Sequence, residues 1–274
     1  MSESANSLID LEKVIQAKMG EKARYVPRFA VGLLKRMIHQ DYINGYLKEG
    51  YKGVEFCEKC LEYLGVGIEV EGAENLPDDG KRYTFVSNHP LGAIDGVALG
   101  MILGKRYDGK IKHLVNDFLM HLDGLAPLCI PVNKTGTQAR DLPRLVDEAF
   151  HSDNQIIVFP AGTCSRSIDG KIQDLPWQKA FVQKSMASGR DIVPIHFSGC
   201  NTDRFYRIAR LRKALKIKFN LEMLLLPDEM YRARGNTYRI TVGRPIPAES
   251  LSDGQTAVSH AHRIRKIVYE LPET

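Results

Sequence analysis

Short apolar runs alternate along this chain with longer segments in which apolar residues recur at the helical period. The short runs are rich in β-branched and aromatic residues and are bounded by turn residues, a pattern that predicts buried strands. These predicted strands cover residues 67–71, 83–87, 112–115, 130–132, 155–159, 192–197, 220–226 and 238–242. Helices are predicted across residues 7–64 and then over 96–103, 138–152, 178–188 and 256–271.

This alternation is typical of an α/β protein in which a mostly parallel, mixed sheet is flanked by helices and preceded by an N-terminal helical segment. We expect a helical segment at residues 1–65 and an α/β domain at residues 66–274 that forms one compact unit. Ligand sites in such sheets lie beyond the carboxyl ends of the strands. Polar residues directly after a predicted strand are therefore the first candidates for a functional site.

The composition of the chain indicates the cellular compartment of the protein. The five cysteines are an odd number without the spacing of a disulfide scaffold, which indicates a reducing compartment. The chain begins with polar residues, unlike a secretory signal, and contains no run of about 20 apolar residues that could span a bilayer. We therefore expect a cytoplasmic protein that binds the inner face of the cytoplasmic membrane only peripherally.

The first candidate site follows the strand-like run 83–86, in the segment Ser87-Asn88-His89-Pro90-Leu91-Gly92-Ala93-Ile94-Asp95-Gly96. Histidine can take and return a proton near neutral pH, and a nearby carboxylate can orient it and stabilise its charged form. His89 and Asp95 are six positions apart, so a regular helix would place them on different faces. The intervening turn must bring them together if His89 is a general base. The alternative is a loop histidine followed by a helix-capping aspartate.

A second strand-like run, 156–159, ends in a turn with the sequence Pro160-Ala161-Gly162-Thr163-Cys164-Ser165-Arg166. Pro160 and Gly162 are turn residues. The hydroxyls of Thr163 and Ser165 and the guanidinium of Arg166 could bind an anion or a carbonyl. An ordinary tight turn after a strand is the alternative. Two such loops at strand ends could form one site.

Together these segments resemble the glycerolipid acyltransferase superfamily, which transfers a fatty acyl group from a thioester to a hydroxyl. Its first motif, Asn-His-x4-Asp, corresponds to Asn88, His89 and Asp95, with five residues instead of four between His and Asp. Its third motif, Phe-Pro-Glu-Gly-Thr-Arg-Ser, corresponds to residues 159–166, with Ala161 in place of the glutamate and the arginine displaced past the serine. Candidates for the second and fourth motifs are residues 126–134 and 192–195. The departures are similar to the hemolysin-like branch, which includes lyso-ornithine-lipid O-acyltransferases.

The resemblance implies a glycerol-3-phosphate acyltransferase-like fold and direct acyl transfer. His89 would be the base and Asp95 its partner, without a metal or a cofactor. The donor would be the thioester of acyl carrier protein or coenzyme A. The expected substrate-binding residues are Asn88, Gly162, Thr163, Ser165, Arg166 and Lys134.

The missing motif glutamate, and Asn133-Lys134 where relatives with phosphate acceptors often have arginine, favour an acceptor with a head other than glycerol phosphate. We therefore expect a lyso-amino-acid lipid of the ornithine- or glycine-lipid type. The alternatives are a 1-acyl-glycerol-3-phosphate acyltransferase and a lipid-binding or membrane-active protein without catalysis.

Two cysteine patterns suggest other chemistry. Cys164 lies inside the second candidate loop, where a thiolate near His89 could form an acyl-enzyme. Cys57 and Cys60 have the spacing of metal ligands, but no second cysteine pair or close histidine cluster follows. We expect these cysteines to be structural thiols.

A basic segment begins at Arg204 and ends at Phe219. It contains seven Lys or Arg up to residue 218, no acidic residue, and apolar residues at helical spacing. Such a helix can lie in a lipid interface, with its cations on anionic head groups. The alternative is a solvated helix that packs on the domain by its apolar stripe. No nucleic-acid-binding signature accompanies it, so we expect no nucleic-acid partner.

Overall fold

The computed structural model describes residues 8–115, 122–131, 142–217 and 220–273. Its helices are α1 (Leu11–Met19), α2 (Arg28–Met37), α3 (Gln40–Leu47), α4 (Gly53–Leu64), α5 (Ile94–Arg106), α6 (Leu142–His151), α7 (Ala180–Ser188), α8 (Asp203–Ala214), α9 (Leu226–Arg232) and α10 (Ala257–Glu270). Its strands are β1 (Gly67–Glu71), β2 (Tyr83–Ser87), β3 (Ile111–Val115), β4 (Cys129–Pro131), β5 (Gln155–Val158), β6 (Arg166–Ile168), β7 (Lys171–Gln173), β8 (Asp191–Phe197) and β9 (Thr237–Val242). None of these helices is long and apolar enough to cross a bilayer.

In the described ranges, seven strands form one sheet in the order β1-β9-β8-β2-β5-β3-β4. Every neighbouring pair is parallel except β8 with β9, which is antiparallel. From β2 the chain continues to β3, toward the β4 edge of the sheet. From β5 its next strand in this sheet is β8, toward the β1 edge. The carboxyl ends of β2 and β5 are therefore neighbours at a point where the strand order reverses, which is where open α/β sheets bind ligands.

Alternating residues of the central strands point to opposite faces of the sheet, and each face has its own apolar core. Phe85 of β2 and Ile157 of β5 pack on the face that α4 and α5 cover. Val86 and Ile156, one position away, pack on the face that α7 and α10 cover. These buried strands read as continuous apolar runs because helices cover them on both sides. The predicted mostly parallel, mixed sheet flanked by helices is confirmed.

The N-terminal helices differ in how they pack. α4 lies against α5 and contributes its buried residues to the main core. α2 has no fully buried residue, and Phe29 and Leu33 on it are exposed. A division of the chain at residue 65 stays a prediction.

Most predicted elements are present within a few residues of the predicted bounds, but the strand predicted at 220–226 is wrong. A 3-10 helix occupies Leu221–Leu225, and α9 follows directly. The apolar run contains Glu222, whose fully buried carboxylate pairs with two arginines. Pro227 stands in the first turn of α9, where its fixed φ suits a helix and would not suit a central strand. Predictions that fall on residues 132–141 lie outside the described residues.

The β6–β7 hairpin was missed at the sequence level. Asp169 and Gly170 connect its strands, and both have positive φ, 49° and 77°. An Asp-Gly pair between two strands is the signal of a two-residue hairpin turn, so the sequence carried this information. The hairpin follows the second candidate loop directly and shapes one side of the site.

Candidate active site

His89 and Asp95, the two residues of the first motif, are in contact. His89 Nδ1 lies 2.9 Å from Asp95 Oδ2. The same oxygen accepts hydrogen bonds from the backbone amides of Leu91 at 3.0 Å and Gly92 at 3.2 Å. The turn folds the loop back onto the first turn of α5, so the six-residue offset does not separate the pair. The contact that a general-base role for His89 requires is present in the structure. Asp95 also lies in the first turn of α5, where a negative charge is favourable.

Gly92 makes this turn possible. Its φ is 77°, in the region that favours glycine. A Cβ at this position would lie 2.9 Å from Leu226 Cδ2 and 3.1 Å from Cys164 Cβ. The loop therefore needs glycine for its backbone conformation and for its close packing on the second loop.

The charges of the pair support each other. Burial lowers the pKa of His89, but the Asp95 charge and hydrogen bond, with a further contribution from Asp174, raise it above the ordinary value. Burial likewise raises the pKa of Asp95, but His89 and the two backbone amides bring it below the ordinary value. Asp95 thus stays ionised and favours protonation of the imidazole.

The other ring nitrogen of His89 is open. Within the described part of the chain, Nε2 has no hydrogen-bond partner, and 17% of the side chain is accessible. The ring stacks on Phe159 with centroids 4.0 Å apart. Asp95 on Nδ1 favours the tautomer in which Nδ1 carries the proton and Nε2 is a free base. A substrate hydroxyl at Nε2 could therefore lose its proton to His89.

The second candidate loop is tied to the first. The backbone amide of Ser165 donates to the carbonyl of His89 at 2.8 Å. Gly162 is exposed, with a positive φ, and Thr163 is partly exposed, so both can reach a ligand. Ser165 is buried, and its hydroxyl donates to Asp174 at 2.6 Å. The structure thus brings the two motifs into one site, with Gly162 and Thr163 on its surface.

Arg166 directs its guanidinium inward. Nη1 donates to the carbonyls of Cys164 and Ser165, and Nη2 donates to the Thr163 hydroxyl. Nη2 also lies 3.0 Å from Oε1 of the fully buried Glu222. Glu222 Oε2 lies 2.9 Å from Arg212 Nε. Arg166 therefore shares the carboxylate of Glu222 with Arg212, and its η nitrogens hold the shape of the loop.

Asn88 also bonds within the protein. Its amide nitrogen donates to the carbonyl of Phe197 at 2.8 Å, and its amide oxygen accepts from the amide of Phe197 at 2.7 Å. This pair continues the β2–β8 pairing by one step and fixes the start of the His89 loop. Lys134 lies outside the described residues. Substrate contacts by Asn88, Ser165, Arg166 and Lys134 stay predictions.

The surroundings of Cys164 do not favour a nucleophilic thiolate. The thiol is fully buried, and burial raises its pKa against the lowering effect of Arg166. Cys57 and Cys60 lie on α4 and are buried in the core of the protein, where burial raises the pKa of the Cys60 thiol to about 12. Among the residues that the structure describes, no three His, Cys, Asp or Glu are placed to hold a metal ion.

Two carboxylates of this region were missed at the sequence level. Asp174 follows the β6–β7 hairpin and contacts both motif loops. Glu222 lies in the apolar run 220–226, whose pattern predicts a strand. The Asp-Gly turn could have placed Asp174 near the loops. Glu222 is 56 positions from Arg166 in the chain, and only the tertiary structure brings the two together.

Two known proteins match nearly the whole chain. The chain is 52% identical over 273 residues to the lyso-glycine lipid O-acyltransferase of Phocaeicola vulgatus, covering 99% of this chain and 98% of that protein. It is 51% identical over 273 residues to the protein of the same name from Bacteroides thetaiotaomicron, covering 99% of this chain and all of the other.

The fold also has a match among solved structures. The crystal structure of PlsC, a 1-acyl-sn-glycerophosphate acyltransferase from Thermotoga maritima, superposes with a TM-score of 0.50 and covers 96% of each chain. The identity is 16%, so this match concerns the fold alone. The acyltransferase family itself matches residues 13–273. The match to this family covers nearly the whole chain, and two relatives are more than half identical to the chain. The chain therefore belongs to the acyltransferase family.

Proposed function

We propose that this enzyme esterifies the free hydroxyl of a lyso-amino-acid lipid of the lyso-glycine-lipid type. The acyl group would come from the thioester of acyl carrier protein or coenzyme A. The observation that supports the reaction is the His89–Asp95 pair with Nε2 of His89 open. The acceptor class is supported by the names of the two relatives that are 52% and 51% identical to the chain.

The reaction needs a single base. His89 Nε2 accepts the proton of the acceptor hydroxyl as its oxygen attacks the thioester carbonyl carbon. Asp95 stabilises the imidazolium that forms. When the tetrahedral intermediate collapses, the carbon–sulfur bond breaks and the imidazolium returns the proton to the leaving thiolate. An ester and a free thiol result, and no acyl-enzyme is required.

The surroundings of Arg166 support an acceptor without a phosphate head. A phosphate would need a cation with free donors. Arg166 lies in the second candidate loop, but its η nitrogens contact Glu222, Thr163 and backbone carbonyls. This arrangement favours a lyso-amino-acid lipid over lysophosphatidate.

A peripheral membrane contact through α8 belongs to the same proposal. Phe205, at the start of α8, is fully buried, so the helix is anchored on the domain. Leu211 and Leu215, near its end, are exposed among basic residues. Exposed leucines beside cations are typical of a helix that lies in an anionic lipid interface. Phe219 lies outside the described residues.

The first experiment is an acyl-transfer assay with purified protein. Palmitoyl-coenzyme A or palmitoyl-acyl carrier protein is the donor, and an N-(3-hydroxyacyl)glycine or lysophosphatidate is the acceptor. We expect O-acylated glycine lipid as the main product, and His89→Ala should lower turnover by at least about a thousandfold. His151→Ala is the control, because His151 is an exposed histidine on α6.

The outcomes separate the alternatives. Phosphatidate as the main product would show a lysophosphatidate acyltransferase. Near-normal transfer by His89→Ala would overturn the base mechanism. No transfer to either acceptor, with binding of either lipid unaffected by His89→Ala, would show a lipid-binding protein.

A further inference from the structure

Asp174 joins the two motif loops at a single oxygen. Its Oδ1 accepts hydrogen bonds from the backbone amide of His89 at 3.2 Å and from the hydroxyl of Ser165 at 2.6 Å. The Ser165 amide donates in turn to the His89 carbonyl. The peptide of His89 is therefore held on both its amide and its carbonyl side by contacts that converge on Asp174 and Ser165.

The rest of Asp174 is anchored from other elements. Its Oδ2 accepts the indole N–H of Trp177 at 2.9 Å. Its backbone amide donates to the Tyr269 hydroxyl at 2.7 Å, and its carbonyl accepts from Arg265 Nη2 at 2.8 Å, both from α10. Asp174 is 1% exposed. A buried carboxylate with this many fixed partners cannot shift toward solvent, so its charge stays close to the site.

We propose that Asp174 is a positioning residue of the reaction, which fixes the backbone of the base His89 against the second candidate loop and adds a second negative charge near His89. This inference rests on the proposed function, because it concerns the alignment of the proposed base. Asp95 acts on the ring of His89 directly through Nδ1. Asp174 acts through the peptide of His89 and through its charge.

The electrostatics of the site agree with this role. The charged and titratable groups that face His89 are Asp95 on α5, Asp174 after β7, Arg166 on β6 and His113 on β3. Both carboxylates raise the pKa of His89, and Arg166 lowers it. Burial raises the pKa of Asp174 above its ordinary value, although the donors from Ser165, Trp177 and His89 oppose that rise. Tyr269 and Arg265 are the groups that face it from α10.

The test replaces the charge of Asp174 while keeping its shape. In Asp174→Asn the new amide group would face the indole donor of Trp177, so the substitution is made in a Trp177→Phe background. The double variant is compared with Trp177→Phe alone. Tyr269→Phe is the second control, because it removes a hydrogen bond to Asp174 without changing a charge near His89.

Two readouts are measured for each variant. The first is the dependence of kcat/KM on pH in the transfer of palmitoyl from coenzyme A to N-(3-hydroxyacyl)glycine. The second is the rate at which diethyl pyrocarbonate modifies His89 at each pH, followed by mass spectrometry of the His89 peptide. This reagent reacts with neutral imidazole and reports the pKa of His89 even without turnover.

We expect the loss of the Asp174 charge to move the His89 titration, and the acid limb of kcat/KM, to lower pH by roughly one unit. We also expect kcat to fall by about tenfold to a hundredfold from misalignment. Tyr269→Phe should leave the titration of His89 where it is in the wild-type protein.

Three outcomes would overturn the inference: an unshifted His89 titration in the double variant, an equal shift in Tyr269→Phe, or a double variant that lacks the native circular dichroism spectrum. The last would show that Asp174 is required for folding itself. If Trp177→Phe and the wild-type protein transfer no acyl group but the modification titration shifts as expected, the proposed function fails and the electrostatic role of Asp174 stands.

Discussion

At the level of single residues, the site depends on a buried carboxylate that supports a partly exposed imidazole. Asp95 is fully buried and accepts one hydrogen bond from the ring of His89 and three from backbone amides. A neutral amide at position 95 could not serve all these donors with the same geometry. The role of Asp95 is therefore both to hold the loop and to hold the ring.

We expect Asp95→Asn to lower kcat by roughly 10⁴-fold, the effect known for the corresponding change in serine proteases. The acid limb of the pH profile should move to lower pH, because loss of the negative charge lowers the pKa of His89 and His89 acts in its neutral form. The control is Asp253→Asn, since Asp253 lies 3.1 Å from His260 in a second His–Asp pair of the protein. Activity retained in Asp95→Asn would exclude the pair from catalysis.

Cys164 provides a second test at this scale. Because burial raises the pKa of this thiol, the residue is neutral near pH 7 and packs against the loop at Gly92. We expect Cys164→Ala to keep kcat within a few-fold of wild type and to lower the free energy of unfolding by about 1 kcal/mol. An acyl group trapped on Cys164 in the wild-type protein, with an inactive alanine variant, would establish an acyl-enzyme instead.

Among the elements, the 3-10 helix at Leu221–Leu225 stabilises the second candidate loop through the single charge of Glu222. Glu222 pairs with Arg166 on β6 and Arg212 on α8, so a single carboxylate joins three segments. A buried carboxylate between two guanidinium groups is costly to remove, because two cations then lose their partner.

Glu222→Gln should therefore lower the free energy of unfolding by about 3 kcal/mol, as measured by urea denaturation. Glu148→Gln is the matched control, since Glu148 forms an exposed pair with Arg144 one turn away on α6. We expect that control to change stability by less than about 0.5 kcal/mol. Equal effects of the two substitutions would contradict a stabilising role of Glu222.

The exposed leucines at the end of α8 lead to a prediction about membrane binding. Replacement of both exposed leucines, Leu211→Ser with Leu215→Ser, should lower binding to vesicles that contain anionic lipid by at least roughly tenfold, because less apolar area would enter the interface. Co-sedimentation with the vesicles measures this. Val258→Ser is the control, since Val258 is an exposed apolar residue on α10. Unchanged binding of the double variant would exclude the end of α8 as the contact.

For the whole molecule, the strand order places the site. β2 and β5 are neighbours in the sheet, and their carboxyl ends carry the His89 loop and the Arg166 loop. Helices cover both faces of the sheet, and exposed apolar residues lie on α2 and at the end of α8.

This arrangement predicts a defined change in the lipids of a cell. Deletion of the gene should remove the diacylated amino-acid lipid, let its lyso form accumulate and leave phosphatidate unchanged, as measured by mass spectrometry of lipid extracts. Complementation with wild type or His151→Ala should restore the lipid, and complementation with His89→Ala should not. A fall in phosphatidate would indicate the other acceptor.

The local pattern of the chain was sufficient for most of the elements and for the motif residues. Buried strands such as β5 are rich in apolar residues, and apolar residues in the helices recur at the helical period, so neither prediction depends on distant residues. The family resemblance rested on residues close together in the chain, at positions 88–95 and 159–166. These signals are local, and a single sequence contains them.

Only the tertiary structure decided how the motif side chains are used. Glu222 lies far from Arg166 in the chain, and the ion pair between them forms only in the folded protein, where Leu221–Leu225 is a 3-10 helix instead of the predicted strand. Asp174 reaches His89 across 85 positions, through a hairpin. Such contacts depend on which segments the sheet brings together, and no local propensity records them, because burial and charge pairing arise only when the whole chain has folded.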